Sequence, residues 1–168
     1  MLQLLACLTG DDKAAKLCGV IDTGHREDAY SVIYNEMVNS IGESAKISRD
    51  DCKDAIMYSL YGSTAKPKEV FGEGKLHQTF INTMEELAPA AWALNKVFLD
   101  IWDSTVLSHD WVLPDNFHVH VKVMGTVKEK VNFFNKPYEI VTKVNMPKEN
   151  GRSLAANVTH SKLNGVCI

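Results

Sequence analysis

Apolar residues recur at helical spacing over the first two thirds of the chain and at every second position after it. Leu2 to Leu8 begin an apolar helix with no residue to cap its start, as in a chain that begins within a larger structure. Ala29, Val32, Ile33, Met37 and Ile41 fall on one face of a second helix, and a third is predicted from Arg49 to Tyr61. Residues near Leu76 to Thr105 continue the helical pattern through Phe80, Met84, Leu87, Trp92, Val97 and Ile101, with Pro89 predicted to kink or split it. The period then becomes two: Phe117, Val119, Val121 and Val123 alternate with His118, His120 and Lys122, as in a half-buried strand. Two more strands, Val127 to Phe134 and Tyr138 to Val144, are predicted around an Asn-Lys-Pro turn, giving an antiparallel meander. The expected fold is α+β and mainly helical, with a small antiparallel strand region near the C-terminus. No internal repeat, low-complexity tract or linker divides it.

Length and composition agree with one globular unit: 168 residues, 45% hydrophobic and 23% charged. No stretch approaches the roughly 20 apolar residues of a membrane span. The opening MLQLLACL lacks the positive flank of a signal peptide and runs at once into Asp11 and Asp12. Cys7, Cys18, Cys52 and Cys167 form no CxxC pair, which points to reduced thiols and a cytoplasmic setting. The net charge of −3 conceals an asymmetry: residues 1–119 carry 10 basic and 18 acidic side chains, residues 120–168 carry 8 and 3. The basic tail suits either nucleic acid or a lysine-rich hairpin kept soluble by its own charges.

The helix from Arg49 offers the most specific chemistry. Arg49 and Lys53 are four apart and share a face, so two cations stand one turn apart near a helix start, a cradle for a polyphosphate. Met57 and then Leu60 or Tyr61 extend that stripe, and Gly62 follows where a helix can end in a left-handed turn. The same spacing fits a surface helix whose cations are neutralised by Asp50, Asp51 and Asp54. Other candidates are weaker. His118 and His120 share a strand face near His109, but no acidic or cysteine ligand stands at zinc spacing from them. Ser161 lacks the G-x-S-x-G of a nucleophile elbow, and FGEGK, residues 71–75, falls short of a P-loop and reads as a flexible turn.

Arg49-x3-Lys53-x7-Tyr61-Gly62 resembles motif B, the fingers-helix motif of single-subunit RNA polymerases of phages and mitochondria and of the related DNA polymerases typified by bacterial polymerase I. Met57 stands where those DNA polymerases usually have an aromatic residue, so KDAIMYSLYGS resembles the RNA polymerase form. Three further stretches follow the family's order. LQLLACLTGD resembles the segment after motif A, with Gln3 as its glutamine; HDWVLPDNF resembles Trp-x-x-Pro-Asp-Gly-Phe, with Asn116 for the glycine; SLAANVTHS resembles the Ala-x-Asn-x-x-His-Ser element before motif C.

The resemblance implies a fragment of a right-hand polymerase, fingers and part of the palm. Its helical portion would be residues 1–106, with motif B at 49–62, and its strand-rich portion 107–168, ending in the His-Ser element. It implies that Arg49 and Lys53 grip the triphosphate of an incoming ribonucleotide and that Lys53 acts catalytically on the departing pyrophosphate. Tyr61 would pack by ribose and base, Gly62 would make room for the template base, and His160 would bind near the nascent pair. Mg2+ would be held by motif A and motif C aspartates outside this chain, and Leu163 stands where an aspartate is usual. The implied partners are DNA template, nascent RNA and ribonucleoside triphosphates, in a phage-infected bacterial cytoplasm and not at a membrane; the aspartates come either from a second polymerase chain or from the rest of a longer polypeptide of which this is a truncated fragment. The alternatives are a non-catalytic nucleic-acid-binding or assembly subunit of a divided polymerase, and a DNA polymerase of the related family.

Overall fold

The computed structural model describes residues 1–42, 46–149, 151 and 153–166, and they form an α+β structure. Seven helices come first: α1 (Leu2–Thr9), α2 (Asp12–Leu17), α3 (Ala29–Ile41), α4 (Arg49–Leu60), α5 (Ala65–Phe71), α6 (Lys75–Leu87) and α7 (Pro89–Asp100). Four strands, β1 (Ser108–Val112), β2 (His118–Lys122), β3 (Met124–Phe133) and β4 (Lys136–Asn145), precede a last helix, α8 (Ser153–Val166). Among the described residues no helix is long and apolar enough to cross a membrane.

The helical core forms where the apolar stripes meet. Ile33 and Met37, four apart on α3, are both fully buried and face Cys52 and Ile56 of α4 and Phe80 and Met84 of α6 in one cluster. The Phe80 ring centroid lies 5.2 Å from that of Phe71 and 6.0 Å from that of Trp92, the latter pair edge-on, tying α5, α6 and α7 together. Pro89 does split the long helical stretch, and it does so at the first position of α7, where its missing N–H costs nothing. The second half ends at Asp100, short of the predicted Thr105.

Buried Asp11 joins two helices. One carboxylate oxygen accepts from the Ala14 amide at 3.0 Å and caps α2; the other accepts from the Ala90 and Ala91 amides, at 2.9 and 3.0 Å, and caps α7. Helices α2 and α5 were not legible in the hydrophobic pattern, because six and seven residues hold too few turns for a period to show.

The strand region differs from a three-stranded meander. It is two separate hairpins: β2 pairs antiparallel with β1, and β3 with β4. The residues of HDWVLPDNF supply β1 and the turn that follows it. Asn116 stands in that turn at φ 64, a left-handed position that asparagine tolerates better than most non-glycine residues. The turn of the second hairpin is Phe134–Asn135, both at positive φ, so Lys136 and Pro137 belong to β4. Every residue of β4 is exposed. Val127, Val131, Phe133, Tyr138, Ile140 and Val144 line one side of the second hairpin, and Lys128, Lys130 and Lys143 the other. Helix α8 then returns to pack against α1 and α7, so the His-Ser element is helical. The side chain of Leu163, and Cys167, lie outside the described residues.

Candidate functional site

The site is built on the two ends of α4. Ser48 begins the helix with a capping box: its hydroxyl accepts from the Asp51 amide at 3.1 Å while the Asp51 carboxylate accepts from the Ser48 amide at 3.0 Å. Asp51 is thereby committed to the cap and does not neutralise the cations. At the other end the Gly62 amide donates to Ser59 O and the Ser63 amide to Tyr58 O, the paired bonds of a Schellman motif, with Gly62 left-handed at φ 87. That left-handed position favours glycine. The motif aims the Tyr61 ring away from the core, leaving it 40% exposed.

Between these ends lies a cavity of about 660 Å³. Arg49, Lys53, Met57 and Tyr61 form one wall of it, and Gln3 of α1 and Asp28 at the head of α3 form others. Lys53 is exposed, and among the described residues its ammonium pairs with no carboxylate. Arg49 is differently placed: its Nη2 donates to Asp28 Oδ2 at 2.5 Å and its Nε to Ser31 Oγ at 2.8 Å. The guanidinium and then the Ser31 hydroxyl hold the Asp28 carboxyl down at about 2, and Asp28 in turn raises Arg49. Gln3 is fixed by donating its Nε2–H to Cys18 O at 2.9 Å, and burial pushes the Cys18 thiol up, keeping it protonated on the same wall.

His160 reaches this place from α8. Its ring stacks on Tyr61 with centroids 6.0 Å apart and planes 24° from parallel, on the flank of the cavity and not in its lining. Gln3, the cations and aromatic end of α4, and His160 are thus brought together from three distant segments. Asp28 and Ser31 were missed. Their sequence signal is only that of a helix start, an aspartate followed three residues later by a serine, and nothing in it says which cation the cap will meet.

The weaker candidates have structural duties. The β1–β2 register sets His109 on the opposite face from His118 and His120; His109 packs on Trp102, with centroids 4.4 Å apart, and His120 pairs with Asp110. The Ser161 hydroxyl accepts from Trp111 Nε1 at 3.0 Å and donates to Val158 O at 2.8 Å, binding α8 to β1. FGEGK holds Gly72 at φ 71, just past α5, and Gly74 just before α6. The donors at the cavity do not fit a magnesium ion: Asp28 is bonded to Arg49 and Ser31, Glu27 pairs with His25 at 2.7 Å, and no metal-sized group of three His, Cys, Asp or Glu occurs among the described residues. No family model matches the chain, and no curated protein does.

Proposed function

We propose that this chain is part of a DNA-directed RNA polymerase of the single-subunit kind, fingers and part of the palm, and binds the incoming ribonucleoside triphosphate during template-directed synthesis. One observation carries the reading. The motif B residues Arg49, Lys53 and Tyr61 line a single cavity with Gln3, and Tyr61 stacks on His160, so the separate motifs of the family resemblance converge in space. In this reading Arg49 and Lys53 meet the phosphates, and Lys53 stabilises charge on the departing pyrophosphate. Tyr61 presents its ring to the base and ribose and its hydroxyl to the 2′-OH, with His160 supporting that ring. In this reading the metal ions are held by carboxylates of segments outside this chain, and no step assigned here runs through them.

The test supplies those segments, as a partner chain or as restored flanks, and measures incorporation of a matched ribo- and deoxyribonucleotide. Tyr61→Phe is expected to keep synthesis while reducing preference for the ribonucleotide. Lys53→Ala is expected to depress both, and by more, because a neutral hydrogen bond contributes about 0.5–1.5 kcal/mol and a charge-assisted one about 1.5–3 kcal/mol. Unchanged sugar preference in the first variant, or full activity in the second, removes α4 from the nucleotide site. A second reading, a non-catalytic nucleic-acid-binding subunit, is favoured by the exposed Lys128, Lys130 and Lys143 side of the β3–β4 hairpin. It predicts salt-dependent DNA binding that survives Lys53→Ala unchanged.

A further inference from the structure

Arg49 does not meet the cavity as a free cation. A guanidinium has two forks with which to grip an oxyanion, and the side-on fork, Nε with Nη2, is fully engaged by Ser31 and Asp28 at the head of α3. Ser31 Oγ also donates to Asp28 Oδ2 at 2.8 Å, closing a ring of three side chains. Asp28 Oδ1 meanwhile accepts from the Tyr30 amide at 3.1 Å, so the carboxylate cannot swing away without uncapping α3. Only the end-on fork remains open. Its Nη1 lies 3.8 Å from Asp50 Oδ1, beyond hydrogen-bond range and beside a side chain that is 90% exposed.

We propose that Asp28, braced by Ser31, is the resting counterion of Arg49 and sets the affinity of the cavity for a polyphosphate. A phosphate taking the side-on fork must displace a tethered carboxylate, and one taking the end-on fork meets a cation already partly neutralised. Lys53 and Arg26, which line the cavity and among the described residues pair with no carboxylate, therefore meet a phosphate first, and Arg49 is recruited second. The carboxyl held down at about 2 agrees with this, because it stays ionised throughout the neutral range. This inference rests on the reading of the cavity as a triphosphate site.

The experiment is isothermal titration calorimetry of the full chain with inorganic tripolyphosphate and with GTP, at low salt and without magnesium. Asp28→Asn and Asp28→Ser both keep a good cap for α3 while removing the charge. Both should bind tripolyphosphate about two- to fivefold more tightly, the range expected for freeing an exposed ion pair. In an Arg49→Ala background the Asp28→Asn gain should shrink below about twofold, since the carboxylate acts through the guanidinium. A purely helix-capping role, which both variants preserve, would instead leave affinity where it was. If Arg49→Ala and Lys53→Ala bind like the wild type, the phosphate site falls and this inference with it. If those two weaken binding while neither Asp28 variant tightens it, the counterion role alone is overturned.

Discussion

Asp11→Ala should destabilise the helical body by about 2–4 kcal/mol, because one side chain caps two helices and losing a single N-cap typically costs about 1 kcal/mol and up to about 2. The geometry sets the scale. Pro89 has no amide hydrogen and the Trp92 amide already donates to Ala88 O, so Ala90 and Ala91 carry the unfilled donors of the first turn of α7, and both bond Asp11. Ala14 carries the corresponding donor of α2. Asp11 is only 6% exposed, so water cannot readily replace it, and the carboxylate charge adds a favourable interaction with two helix dipoles, about 0.3–1 kcal/mol each. Asp11→Asn retains one acceptor oxygen and should lose about half as much, since its amide nitrogen must face one of the two helix ends. Urea unfolding followed by circular dichroism reads the difference: at a slope of about 2 kcal/mol per molar, the alanine variant should shift the midpoint by about 1–2 M. Hydrogen exchange at Ala90 and Ala91 localises the loss. A cost below about 1 kcal/mol, or an asparagine variant as damaged as the alanine one, would refute the double cap.

Cys52 is fully buried, and burial, with the neighbouring Asp51, pushes its thiol up to about 11, so about a thousandth is ionised at pH 8. Iodoacetamide should therefore label exposed Cys7 in the folded chain and spare Cys52 until denaturant is added; peptide mass spectrometry showing equal labelling would contradict that. Phe134 occupies the first position of a two-residue turn at φ 48 with 85% of its surface exposed, so Phe134→Asn should stabilise the β3–β4 hairpin by about 1 kcal/mol, seen as slower amide exchange along β3. Asp28 has a lowered folded pKa, so its stabilising contribution is complete above the unfolded value of about 4 and is lost as pH falls toward about 2. Because the pair is largely exposed, the difference between wild type and Asp28→Asn should narrow across that window by no more than about 1 kcal/mol in acid urea titrations; a difference that widens there reverses the sign.

What the sequence determined by itself is what depends on near neighbours along the chain. The α3 and α4 helices were legible because apolar residues three and four apart must share a face, and the break at Pro89 because its ring and missing amide hydrogen cannot continue a helix. The Arg49–Lys53–Tyr61 stripe was legible for the same reason, being one face of one helix. Pairing was not. Alternation marks a strand without naming its partner, so β2 and β3 read as neighbours although each pairs with a different strand, and the turn at Phe134–Asn135 was displaced because Pro137 is tolerated inside a two-stranded ribbon whose edges face solvent. Only the tertiary structure set Asp28 against Arg49, Asp11 between α2 and α7, and His160 on Tyr61. Those contacts join residues far apart in sequence, through side chains whose local patterns announce a cap or a polar surface and nothing more, and it is the packing of the intervening core that decides which of them meet.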